Sequence, residues 1–190
     1  MNSIKKSLEN WLNQLNHFSF TSYESLPDID LYMDQIINYL DKQLYVFQTT
    51  STDKQITPSM INNYVKGNVI PSPISKRYNK EHIAQIDEVC TLKQVLTLAE
   101  VKQIEDNRYL DKTIKSDIFN SFNKLNSSKI NSAVTDAFKS LNNIDENDTE
   151  ALINLALDFS LTANAYISIA KRILFLARSY ELINKNKENK

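Results

Sequence analysis

Residues 54–80 read KQITPSMINNYVKGNVIPSPISKRYNK, and the punctuation of this stretch decides how the chain folds. It holds the only glycine, Gly67, and three of the four prolines, Pro58, Pro71 and Pro73. Thr57 followed by Pro58 is a helix start. Thr accepts from an orphan amide, and Pro at the first helical position lacks a donor that would have gone unused. Gly67 is the matching stop, expected in a left-handed conformation after the last turn. The helix between them, Pro58 to Lys66, is short and sharply bounded. Pro71 and Pro73 then hold their predecessors extended, so the segment up to Tyr78 reads as an extended arm or a two-stranded wing. Asn79 is placed to cap the next helix.

Working outward, nearly every other segment reads as helix. Ile4, Leu8, Trp11, Leu12 and Leu15 form one apolar stripe. Pro27 is expected to open a second helix, LPDIDLYMDQIINYLDKQLYVF, with Leu31, Ile36, Ile37, Leu40 and Leu44 on one face. After Asn79, the run KEHIAQIDEVCTLKQVL turns Ile83, Ile86, Val89 and Cys90 inward. Thr97 and Glu100 make a capping box for a further helix that carries Val101 and Ile104.

At this point the residues carry a resemblance. LPDIDLYMDQIINYL, ITPSMINNYVKGNVIP, KRYNKEHIAQI and LKQVL, spanning roughly residues 26 to 105, are very similar to the bacterial family known as domain of unknown function 1836; MINNYVK is the most specific piece. More distantly the stretch resembles the winged helix-turn-helix domain of MerR-type transcription regulators. That likeness implies a reading helix at Ile61, Asn62, Asn63 and Tyr64, a basic-x-tyrosine wing at Lys76 and Tyr78, and a leucine-rich helix pair from Leu92 to Ile104. Two departures stand out: Asn62 occupies the place of an arginine, and about nine residues, Gln48 to Ile56, separate helices that are normally joined by three or four.

Charge is segregated around this stretch. The chain has net charge -1 and pI about 6.1, yet residues 54–80 contain five bases and no acid. Residues 21–53 hold six acids against Lys42 alone, and residues 81–111 hold seven acids against three bases. A local positive field suits a polyanion. With Ile61, Tyr64 and Val65 turned inward, Ser59, Asn62, Asn63 and Lys66 lie on the outer side. Asn bonds an adenine edge in two places, and Lys66, Lys76, Arg77 and Lys80 suit phosphates flanking a groove. The competing reading of the same charges is a solvated face. Tyr64 and Tyr78 are expected to be core residues with hydroxyls at the surface.

The second half predicts helices from Lys112 to Leu125, with Ile114, Ile118, Phe122 and Leu125 on one face, and from Lys129 to Leu141, with Ile130, Val134, Ala137 and Leu141. A break is expected at Asn126-Ser-Ser. The acidic loop NNIDEND leads to a long helix from about Thr149 to Asn184. On it, Leu152, Leu155, Phe159, Thr162, Tyr166, Ile169, Ile173, Leu176, Tyr180 and Ile183 trace a heptad seam. Apolar residues outside the seam require cover on a second side. The seam predicts a homodimer; a central helix of a monomeric bundle is the alternative.

The expected fold class is therefore all-α, with a winged helix-turn-helix-like unit over residues 1–110, including an N-terminal amphipathic helix, and a helical assembly or sensing region over 111–190. A single Cys90 excludes an intrachain disulfide, and His17 and His82 give no zinc spacing, so no metal or other cofactor is expected. A start without an apolar core predicts no signal peptide, and the run Phe159–Ala170 is too short and polar to span a bilayer, so the expected location is cytoplasmic with no membrane partner. There is no glycine-rich phosphate loop and no nucleophile beside a histidine, which argues against an enzyme. The expected function is sequence-specific binding of double-stranded DNA in transcription regulation. The alternative is a helical protein-interaction module of the same shape.

Overall fold

In the computed structural model, residues 3–48, 56–109 and 114–188 are described, with side chains through Tyr180. The chain is mostly helical, which bears out the all-α expectation. In order it forms α1 (Ile4–Asn16), β1 (Leu31–Tyr32), α2 (Met33–Gln43), α3 (Pro58–Lys66), β2 (Arg77–Tyr78), α4 (Lys80–Leu92), α5 (Leu98–Arg108), α6 (Lys115–Leu141) and α7 (Thr149–Glu188). The linker expected from Gln48 to Ile56 falls mostly outside the described residues, as do Lys54, Lys112 and the side chain of Ile183.

The caps read from the sequence form as expected. Thr57 accepts from the Met60 amide at 3.3 Å, Asn79 from the His82 amide at 3.1 Å, and Thr97 from the Glu100 amide at 3.3 Å. The expected opening of α2 at Pro27 is corrected: the chain stays extended through β1, and α2 begins at Met33, where Gln35 Oε1 accepts from the Tyr32 amide at 2.9 Å. That extension lets β1 pair antiparallel with β2, Leu31 opposite Tyr78 and Tyr32 opposite Arg77.

Two apolar clusters hold the elements. In the larger, Ile36, Leu40, Ile61, Tyr64, Ile83, Ile86, Val89 and Val101 are shielded from solvent, and Phe119 reaches in from α6. Each such side chain contributes roughly 1.5–3 kcal/mol by burial. In the smaller, Leu12 and Leu15 of α1 pack with Val46 and with Val134, Ala137 and Leu141 of α6. Leu152, Leu155 and Phe159 of α7 lie partly buried against this second cluster, and Leu174 touches the first. Apolar packing thus continues across residue 110.

The break expected at Asn126-Ser-Ser does not occur, since α6 runs unbroken for 27 residues. Asn and Ser cost a helix only tenths of a kcal/mol each, and neither removes a backbone donor. Packing at both ends of α6 outweighs that cost. Phe119 serves the larger cluster, and Val134, Ala137 and Leu141 serve the smaller.

Candidate nucleic-acid interface

On α3 the burial pattern separates two faces. Ile61 and Tyr64 are 0% and 1% exposed, and Val65 is half-buried, whereas Ser59, Asn62, Asn63 and Lys66 are exposed. None of these four makes a side-chain hydrogen bond or ion pair among the described residues. With Met60 they line a shallow depression of about 520 Å³. An exposed row of uncommitted amide and ammonium groups on a nine-residue helix is equipped to meet an external hydrogen-bonding edge.

The helix end is built differently from the expectation. Gly67 has φ of -77°, and the left-handed residue is Asn68, with φ of 52°. The Asn68 amide donates to Val65 O at 3.0 Å and the Val69 amide to Tyr64 O at 3.0 Å, the paired bonds that close a helix around a left-handed residue. Asn tolerates that conformation better than other residues with a Cβ. Gly67 is needed for a close approach instead: a Cβ there would lie 2.8 Å from Leu98 Cδ2. From α5, Lys102 Nζ donates to Asn68 O at 2.9 Å and ties the turn to the body.

The arm between Val69 and Tyr78 is anchored at both ends. Val69 and Ile70 are buried, and His82 Nε2 stands 3.3 Å from Ser72 O. Ile74 and Arg77 bond each other through both backbone groups, at 3.0 and 2.9 Å, around Ser75 and Lys76, whose φ values are 51° and 64°. Two consecutive positive φ values make a tight hairpin turn that glycine or asparagine would adopt more cheaply. The segment expected as an extended arm or a two-stranded wing forms a two-residue hairpin tip whose returning strand pairs with β1.

The basic residues of this tip have unequal surroundings. Lys76 is exposed at the apex. Arg77 is exposed, but its guanidinium lies 5.0 Å from the Tyr32 ring centre and donates to the Tyr32 hydroxyl at 3.1 and 2.9 Å. Lys80 is largely withdrawn: its ammonium donates to Asp28 Oδ1 at 2.6 Å and to Glu24 O at 3.1 Å. Its charge is compensated within the chain, so it anchors the base of the tip to the preceding loop. Tyr32, Asn68, Lys102 and His82 were missed in the sequence. Only His82, three residues after a capping Asn, carried a local signal.

Behind this surface the core holds polar groups. The Tyr64 hydroxyl is buried, which corrects the expectation of a surface hydroxyl. Burial raises its pKa, and burial together with the Asp87 charge pushes the Cys90 thiol up to about 12. Glu88 and Glu105 converge on Arg108, whose Nη1 lies 2.7 Å from Glu88 Oε2 and 3.4 Å from Glu105 Oε1. Desolvation raises both carboxyls, Glu105 to about 8, with the Glu88 charge adding to the rise. Glu88 also accepts from the Tyr109 hydroxyl at 3.3 Å and lies closer to the Arg108 guanidinium than Glu105 does. No group of three or more His, Cys, Asp or Glu suited to a metal occurs among the described residues.

The seam predicted on α7 divides. Leu152, Leu155 and Phe159 are partly buried against their own chain, while Tyr166, Ile169, Ile173, Leu176 and Tyr180 are 51–71% exposed. The segment Thr149–Tyr180 is long and apolar enough to cross a membrane by length and composition alone, its most apolar 18 residues having mean hydropathy 1.3.

Residues 21–126 match the family model described as Domain of unknown function (DUF1836), more than half of the 190-residue chain. No curated protein and no solved structure matches the chain.

Proposed function

The chain belongs to that domain-of-unknown-function family, and we propose from its own geometry that it is a sequence-specific reader of double-stranded DNA, acting in the cytoplasm as a homodimeric transcription regulator. In this reading α2 and α3 form the helix pair of a MerR-like winged helix-turn-helix, and the Ile74–Arg77 turn is the wing. The observation that carries it is the exposed, uncommitted row Ser59, Asn62, Asn63 and Lys66 on a helix whose opposite face is locked into the core.

Roles follow from chemistry. Asn62 and Asn63 read base edges in the major groove, Ser59 meets a base or a phosphate, and Lys66 neutralises a phosphate at the helix end. Lys76 and Arg77 hold backbone phosphates beside the groove, with Tyr32 fixing the Arg77 guanidinium. Lys80 supports the wing rather than the DNA. The chain needs no cofactor for any of these contacts.

Selection of genomic fragments with the purified protein supplies a preferred site for the test. Asn62→Ala or Asn63→Ala is expected to cost roughly 1–3 kcal/mol on that site and little on random DNA. Equal losses on both kinds of DNA would remove α3 as the reader. Failure of any fragment to bind at low salt would favour the protein-interaction module.

A further inference from the structure

The face of α7 turned away from its own chain has a pattern that selects what covers it. Residues Leu152, Leu155, Phe159 and Leu174 mark the inner side. Opposite them, Asp158, Leu161, Ala165, Ile169, Arg172 and Leu176 follow one another at spacings of three or four and are all exposed. Leu157 and Ile173 flank this row and are 56% and 60% exposed. Large apolar side chains exposed together along one helix face mark an interaction site.

The charges within it decide the occupant. Asp158 and Arg172 make no ion pair among the described residues, and Arg172 rests with its guanidinium 5.3 Å from the Phe175 ring centre. They stand 14 residues apart, about 21 Å along the helix, too far to neutralise each other. In a bilayer both would be unpaired charges at depth, which is costly. In a parallel pair of helices Asp158 would face Asp158 and Arg172 would face Arg172.

An antiparallel pair removes both conflicts in one register. Ala165 is the midpoint: Asp158 lies seven residues before it and Arg172 seven after, Leu161 four before and Ile169 four after, Leu157 eight before and Ile173 eight after. Placed on a two-fold axis, the small Ala165 side chain permits close approach, while Leu161 meets Ile169, Leu157 meets Ile173 and Asp158 meets Arg172; Leu176, 11 after, meets Asn154, 11 before. We infer that the outer face of α7 pairs antiparallel with a second copy of this chain, crossing at Ala165 with Asp158 opposite the partner's Arg172. This specifies the dimer named above, but it rests on α7 alone and stands or falls separately from DNA binding.

Cross-linking of the full chain tests it, since the native Cys90 is buried. Asp158→Cys and Arg172→Cys proteins, oxidised together, are expected to give a disulfide dimer, while each alone gives little. Efficient cross-linking of each variant with itself would overturn the antiparallel register. Sedimentation supplies the second readout: Asp158→Arg is expected to weaken the dimer roughly tenfold or more, and Asp158→Arg combined with Arg172→Asp to restore it. A wild-type mass of 21.9 kDa throughout the micromolar range would overturn the pairing. Flotation of that monomer with phosphatidylcholine–phosphatidylglycerol vesicles would assign the face to lipid instead.

Discussion

Asn68 and Gly67 divide between them two tasks that the sequence assigned to the glycine alone. Asn68 carries the left-handed backbone, and Gly67 gives Leu98 room. Asn68→Ala is therefore expected to cost about 1 kcal/mol in urea denaturation, and Asn68→Gly close to nothing. Gly67→Ala costs less than the close approach implies, because Leu98 Cδ2 is the end of a flexible side chain and the substitution also restricts the unfolded chain. A larger loss for Asn68→Gly than for Asn68→Ala would contradict this assignment. Glu105 has a second residue-level consequence. It binds a proton more tightly folded than unfolded, so between the ordinary carboxylate range and about pH 8 the unfolded state holds fewer protons and stability falls as pH rises. Asp87, pushed up to about 7 by burial and then by the Glu88 charge, slopes the same way. Melting temperatures measured from pH 5 to 9 are expected to fall and then level, and Glu105→Gln to flatten the fall. An unchanged slope in that variant would show that Glu105 does not carry this pH dependence.

At the scale of elements, caps were the most legible feature, because a capping hydrogen bond depends on residues three apart. Thr57, Asn79 and Thr97 each mark a helix start that forms. The start of α2 was hidden because β1 forms only by pairing with residues 77–78, a partner far along the chain. The unbroken α6 was hidden for a similar reason, since its continuity comes from the two clusters it bridges. Ser128 lies inside that helix. Ser128→Pro is expected to cost about 3 kcal/mol or more in denaturant unfolding, by removing a helical hydrogen bond and clashing with the preceding turn. Indifference to that substitution would mean a loop at this place. The outer row of α3 was readable from helical periodicity, whereas the commitment of Lys80 to Asp28 was not, because no local pattern links residues 52 positions apart.

Across the whole molecule, a chain of net charge -1 gathers five bases and no acid in residues 54–80, between acid-rich flanks, and the outer row of α3 and the hairpin tip expose Lys66, Lys76 and Arg77 as the proposed surface. On the proposed reading, that surface meets DNA and α7 joins two copies, so that each protomer brings one reading helix. The field at the tip then arises chiefly from Lys66, Lys76 and Arg77, because Lys80 is neutralised within the fold. Titration of labelled genomic DNA fragments over a series of salt concentrations, comparing the wild type with the Lys76→Ala/Arg77→Ala protein, tests this directly. The wild type is expected to bind with log affinity falling linearly with log salt. The double variant is expected to bind all DNA more weakly, with a slope smaller by about 0.9 for each phosphate it no longer neutralises. A folded wild-type protein that retains no DNA at low salt, or a double variant with undiminished affinity and slope, would contradict the assignment of this surface to DNA.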